Sequence, residues 1–247
     1  MSAARHYLPP VSIASSTLHS PPWGDSASSH TVNYSGNWAG HVMPYTNFQD
    51  QLMTFSEATW TQPSVPGNSS YTNYQDAPDA SFWDGLGLDY LIQAGADSIS
   101  TATPTYKFWV EDYPEGTDWE ANPPISAGDL SFVDVHYVGN NQSNFFLENE
   151  TTYTYTTVSL STPYVGNHSG DFINECISSY YLPDYGTTSF TGCYATAGGT
   201  TYPLQSSNNN IYYMTSNGQS TGTLLVSTGS VNNSSYSFPV TWGNPGP

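Results

Sequence analysis

MTFSEATWTQP, residues 53–63, is rich in Thr, Phe and Trp and stops at a proline. Such a run fits a pleated, half-buried strand better than a helix. From Asn33 onward the texture repeats: SFWDGLG at 81–87, DYLIQAG at 89–95, TYKFWVEDYP at 105–114, LSFVDVHYV at 130–138, TYTYTTVSL at 152–160, TTSFTGCYA at 187–195, NIYYMTS at 210–216, TGTLLVS at 221–227 and YSFPVTW at 236–242. Gly, Pro, Asn and Asp break the runs apart. Many short strands with turn residues between them predict an all-β antiparallel sandwich or barrel. No window keeps apolar residues at i, i+3, i+4 and i+7 over three turns, so helix is expected to be minor. DFINECISSYY, 171–181, admits a short helix as well as a strand. Residues 1–30, rich in Ser, Pro and His without a period, read as an extended N-terminal segment or propeptide remnant, and 31–247 as a single β-sandwich domain.

Charge narrows the function. Twenty acidic residues face only Arg5 and Lys107, a formal net charge of −18. Nucleic acid and anionic membrane are expected to be poor partners by repulsion. Only 9% of residues are charged, and the other polar side chains are Ser, Thr, Asn, Gln and Tyr, whose polarity does not change in acid. As pH falls through roughly 4 the carboxylates protonate and the self-repulsion disappears, so the composition suits an acidic, extracellular setting. An aromatic content of 15% argues against an acidic disordered chain. No apolar stretch approaches the roughly 18 residues of a membrane span. The start, MSAARHYLPPVS, lacks the apolar centre of a signal peptide, so a secreted form with this start is expected to be mature or trimmed. Sequons at Asn33, Asn68, Asn141, Asn149, Asn167, Asn232 and Asn233 fit a secreted glycoprotein, and Cys176 and Cys193 form either one disulfide or two buried thiols.

Several chemistries are missing. There is no GxSxG elbow, and NHSG at 167–170 reads as a turn. Histidines at 6, 19, 30, 41, 136 and 168 form no HExxH or HxH pair, so neither metal nor cofactor is expected. Neither Asp-Thr-Gly nor Asp-Ser-Gly occurs. What remains is carboxyl groups working with neutral partners: Glu111 and Asp112, Asp134, Asp171 and Glu175, and Asp89. As a strand, DFINEC puts Asp171, Ile173 and Glu175 on one face and Phe172, Asn174 and Cys176 on the other. Two carboxyls beside an isoleucine make a poor core and a reasonable cleft wall. In LIQAGAD, 91–97, the amide of Gln93 needs either a structural partner or a task, since an unpaired buried amide costs about 1–3 kcal/mol.

Seven landmarks, in order, resemble the glutamic peptidases called eqolisins, the pepstatin-insensitive acid proteases. SGNWAG (35–40), ATWTQPSV (58–65), SFWDGLG followed by LIQAGAD, FWVEDYPE (108–115), ISAGDLSFVDV (125–135), LENETT (147–152) and GDFINEC (170–176) are each similar to a family segment. The resemblance implies a sandwich of two curved antiparallel sheets, concanavalin- or lectin-like, with a catalytic Gln/Glu pair on a concave face. It places Gln93 and Glu175 in that pair: Glu175 as base and then acid on a water, Gln93 as oxyanion donor. Trp38 and Trp83 would wall the peptide site, with Glu111 and Tyr113 of the 110–119 hairpin and Asp171 as further binding or supporting residues. The implied protein is a secreted, monomeric acid endopeptidase acting on polypeptides without a cofactor. A lone Glu base is expected to work best at about pH 2–4 if hydrogen bonds lower it from about 4.3. Departures are Asp171 where the family usually has Glu, Asn174 for an apolar residue, Asp84 for Val, and a shorter spacing from Trp83 to Gln93. The rival readings are a non-catalytic carbohydrate-binding sandwich, indifferent to Glu175→Gln, and a surface-layer or adhesin domain.

Overall fold

Alternating small and large apolar residues, broken by glycines and prolines, leave the chain one way to bury its aromatics: as paired strands. The computed structural model describes residues 31–73, 76–87, 90–113, 119–161, 168–177 and 181–245, with backbone only for 119–121. Within these residues the strands are β1 (Val32–Ser35), β2 (Trp38–Pro44), β3 (Met53–Thr61), β4 (Asp79–Leu86), β5 (Leu91–Ile99), β6 (Thr105–Tyr113), β7 (Trp119–Ala121) and β8 (Leu130–Gly139). There follow β9 (Gln142–Asn149), β10 (Thr154–Ser161), β11 (Ser169–Cys176), β12 (Thr187–Ala197), β13 (Thr200–Pro203), β14 (Asn210–Thr215), β15 (Leu224–Thr228) and β16 (Phe238–Trp242). A single 3-10 turn, Tyr45–Phe48, is the helical content among the described residues. DFINEC is strand β11, not helix. Residues 1–30, Asp89, the hairpin tip at 114–118 and the sequon residue Asn167 lie outside the described residues.

The fold is all-β, but the expected pair of sheets is hydrogen-bonded into one. Its order runs β10-β9-β8-β3-β12-β16-β15-β14-β2-β11-β4-β5-β6-β7. Apart from the parallel pair β1 and β14, every pairing is antiparallel. The strands β14, β15 and β16 carry the ladder from one wing to the other, pairing edges that two separate sheets would leave open. The wings then face one another across Trp60, Phe82, Phe108, Phe145, Phe172, Phe190 and Phe238, all buried. Truncating any of these to Ala is worth about 3–5 kcal/mol.

Strand β11 lies between β2 and β4 in the middle of one wing. Its Phe172 enters the core between the wings, whereas Ile173 joins a second cluster on the opposite face, with Trp38, Val42, Trp83, Leu91 and Trp109. The cysteines are free thiols, Cys193 buried and Cys176 half-buried. Asn149 is buried, its amide donating to the Pro124 carbonyl (3.1 Å) and Asp129 Oδ2 (2.8 Å), so that sequon is part of the structure.

Candidate active site

The second cluster marks the face that holds the candidate residues. Across β2, β11, β4, β5 and β6 the register sets Trp38, Glu175, Ser81, Asp97 and Lys107 in one row. The next row is Gly40, Ile173, Trp83, Gly95 and Trp109, and the third is Val42, Asp171, Gly85, Gln93 and Glu111. Glu175, Trp83 and Gln93 therefore lie on a diagonal of one face, with Trp83 between the other two. Gly95 makes this possible: a Cβ there would stand 2.5 Å from Trp83 Cβ and 2.3 Å from the Phe82 carbonyl oxygen.

Neutral donors hold the Glu175 carboxyl. Trp83 Nε1 donates to Oε2 at 2.9 Å, and Asn37 Nδ2 donates to Oε1 at 3.1 Å. Asn37 is itself fixed, because Ser35 Oγ donates to Asn37 Oδ1 (3.0 Å) and accepts from the Trp38 backbone N–H (3.1 Å). The indole of Trp38 meets that of Trp83 edge-on, with centroids 5.1 Å apart. Glu175 is only 3% exposed, a burial that a carboxyl tolerates when its oxygens are hydrogen-bonded.

Gln93 is 1% exposed and donates from Nε2 to Glu111 Oε2 at 2.7 Å, while its Oε1 has no partner among the described residues. Glu111, expected inside a strand and in the 110–119 hairpin, is 4% exposed in β6, opposite Gln93. Tyr113 packs half-buried against the cluster, level with Leu91. Asp171 shares the face and is fully buried, and burial holds its carboxyl well above the usual carboxylate range, with Ser169 acting in the opposite sense.

The other sequence candidates lie elsewhere. Asp112 is on the reverse face of β6, and Asp134 is in β8 on the far wing. His41 faces Asn209 Oδ1 (2.5 Å) and the Gly229 carbonyl (2.9 Å) with its two ring nitrogens. Among the described residues no cluster of His, Cys, Asp and Glu has the makings of a metal site. Three members of the site were not singled out in the sequence: Asn37, Trp109, whose Nε1 donates to Ser81 Oγ at 3.0 Å, and Ser81 itself. Asn37 adjoins Trp38 in SGNWAG, and its signal was there to be weighed.

The chain is similar to known proteins in both sequence and shape. The sequence pattern of the Peptidase A4 family matches residues 36–238. Aspergillopepsin-2 of Aspergillus niger is 28% identical over 197 residues, 68% of this chain and 67% of that protein. The crystal structure of Scytalido-glutamic peptidase with a peptide-based transition state analog superposes with a TM-score of 0.67 at 21% identity, covering 85% of this chain and all of that one. Aspergilloglutamic peptidase from Aspergillus niger gives 0.55 at 25% identity, covering 67% of this chain and 99% of that one.

Proposed function

The chain belongs to the Peptidase A4 family and is a glutamic-type acid endopeptidase; on that premise we propose that Glu175 and Gln93 are its catalytic pair. One observation carries the assignment: Glu175 and Gln93 occupy one face, and each is oriented by a hydrogen bond to a buried side chain. As a carboxylate, Glu175 takes a proton from the attacking water and then gives it to the leaving amine. Its position is set by Trp83 and Asn37, which supply no charge of their own.

Gln93 supplies the oxyanion donor. An amide nitrogen carries two N–H groups. One is taken by Glu111, which leaves the other for the developing oxyanion, and the amide keeps it at every pH. Such a donor is worth about 10²–10³ in rate. Trp38 and Trp83 form the apolar floor under the peptide, Glu111 and Tyr113 border it, and Asp171 contributes a neutral carboxyl. We take this face of the wing to be the concave one, as in a lectin-like sandwich, and to accept an extended polypeptide. The enzyme acts outside the cell, in acid, as a monomer.

The test is cleavage of a denatured protein from pH 2 to 7 with pepstatin present. Wild type cleaves only in acid, and folded Glu175→Gln is inactive. Cleavage by Glu175→Gln at the wild-type rate would remove Glu175 from the mechanism.

A further inference from the structure

Asp171 and Gln93 flank the same residue. Both are level with Gly85 of β4, Asp171 from the β11 side and Gln93 from the β5 side. Gly85 has no side chain, and a Cβ there would stand 3.1 Å from Gln93 Cβ. Beside this gap, on the same face, lie buried polar atoms that make no hydrogen bond of good geometry among the described residues: both Asp171 carboxyl oxygens, Gln93 Oε1 and, one row on, Ser169 Oγ, which stands near enough to Asp171 to pull its carboxyl back down. Leaving one such atom unpaired costs about 1–3 kcal/mol, so a set of them on one face requires an account.

Counting protons supplies one. With Asp171 ionised, its two oxygens and Gln93 Oε1 are all acceptors, and only the Ser169 hydroxyl can donate. With Asp171 neutral, its O–H becomes a second donor and Gln93 Oε1 an acceptor for it. We propose that Asp171, as a neutral acid, donates to Gln93 Oε1, directly or through one water, and thereby fixes which end of the amide is offered to the reacting carbonyl. The proposal rests on the reading of Gln93 as the oxyanion donor. Asp171 is then a positioning residue that acts through Gln93.

Burial and the neighbouring acids favour the neutral form, and Ser169 opposes it. On its own strand Asp171 has Ser169 and, two rows along, Glu175. From β2 comes Val42, from β5 and β6 the Gln93–Glu111 pair, and from β14 Tyr212, whose phenol is pushed up to about 12 by burial and by Asp171. Asp84, on the reverse face of β4, adds a second acid. The cation on this face, Lys107, lies in the row of Glu175, three strands from β11. An amide fixed by an acid proton is a device that works in acid and fails on ionisation.

The experiment measures kcat and KM on one peptide from pH 2 to 7 for wild type, Asp171→Asn, Asp171→Ala, Gln93→Ala and the Asp171→Ala/Gln93→Ala double variant. The asparagine amide donates as the neutral acid does, so Asp171→Asn holds kcat within about threefold of wild type at pH 4. Asp171→Ala lowers kcat about tenfold with KM within about twofold, and adds nothing to the Gln93→Ala loss. Should Asp171→Ala not fold at pH 4, Asp171→Leu, near in shape and unable to donate, replaces it. Wild-type kcat in the non-donating variant, equal loss in Asp171→Asn, or full additivity with Gln93→Ala each overturns the proposal. Wild-type kcat in Gln93→Ala instead overturns the reading of Gln93 itself.

Discussion

Two carboxyl sites on opposite wings solve the same shortage of cations in different ways. On β11, Glu175 is met by an indole and an amide, neutral donors that an ionised carboxylate accepts from. On the far wing, Glu57 of β3 and Asp134 of β8 stand directly opposite one another, carboxyl against carboxyl. Burial first, and Glu57 second, push Asp134 up to about 6, and burial also raises Glu57. The difference lies in the neighbours: on β11 the carboxyl meets neutral donors, whereas on the far wing it meets a second carboxyl and is pushed up.

The largest change comes from taking a donor away from Glu175. Trp83→Phe keeps an aromatic ring but not the indole, and so removes the N–H that reaches Oε2. A hydrogen bond to a charged group is worth about 1.5–3 kcal/mol, so kcat/KM of the folded variant is expected to fall by about 10- to 100-fold, beyond any loss of stability from the smaller ring. An unchanged kcat/KM would make the indole a wall and nothing more.

A smaller effect belongs to Asp84, which is buried between the wings. Ser56 Oγ lies 2.9 Å from its Oδ2, and burial, the leading cause, holds the carboxyl well above the usual range. Ser56→Ala removes the hydroxyl that this carboxyl shares with the Gly85 carbonyl and is expected to lower stability by about 1–3 kcal/mol in denaturant melts, while kcat stays put. Loss of activity without loss of stability would tie the inter-wing core to catalysis.

The smallest effect is the pH dependence of the outer pair. Between pH about 4 and 6 the folded chain keeps a proton on Asp134 that the unfolded chain has released, so this contribution to stability is complete below about pH 4 and is lost as pH rises through about 6. Asp134→Asn cannot titrate. Its unfolding temperature is expected to drop less between pH 4 and pH 7 than that of wild type, by a few degrees. A steeper drop would contradict the assignment.

The strands were legible because each is a short aromatic and β-branched run closed by a breaker, and the two faces of DFINEC followed from a period of two. The closure of both wings into one ladder was not, since it depends on β14, β15 and β16 bridging residues far apart in sequence. The catalytic assignments came from resemblance, and the structure adds their partners. Glu111 looked like part of an acidic hairpin until the register set it opposite Gln93. Asn37 could be noticed beside Trp38, but its reach to Glu175 across 138 positions, like that of Ser56 to Asp84 across 28, could not be read from local pattern.

The most direct test of a neutral-donor pair is a double-mutant cycle on single-turnover cleavage at pH 3, with Glu175→Gln, Gln93→Ala and both together. If the two act on one water and one carbonyl, each single change costs at least about 10² in rate and the double variant is no slower than the worse single. Losses that multiply in full, or a single variant at the wild-type rate, would contradict it.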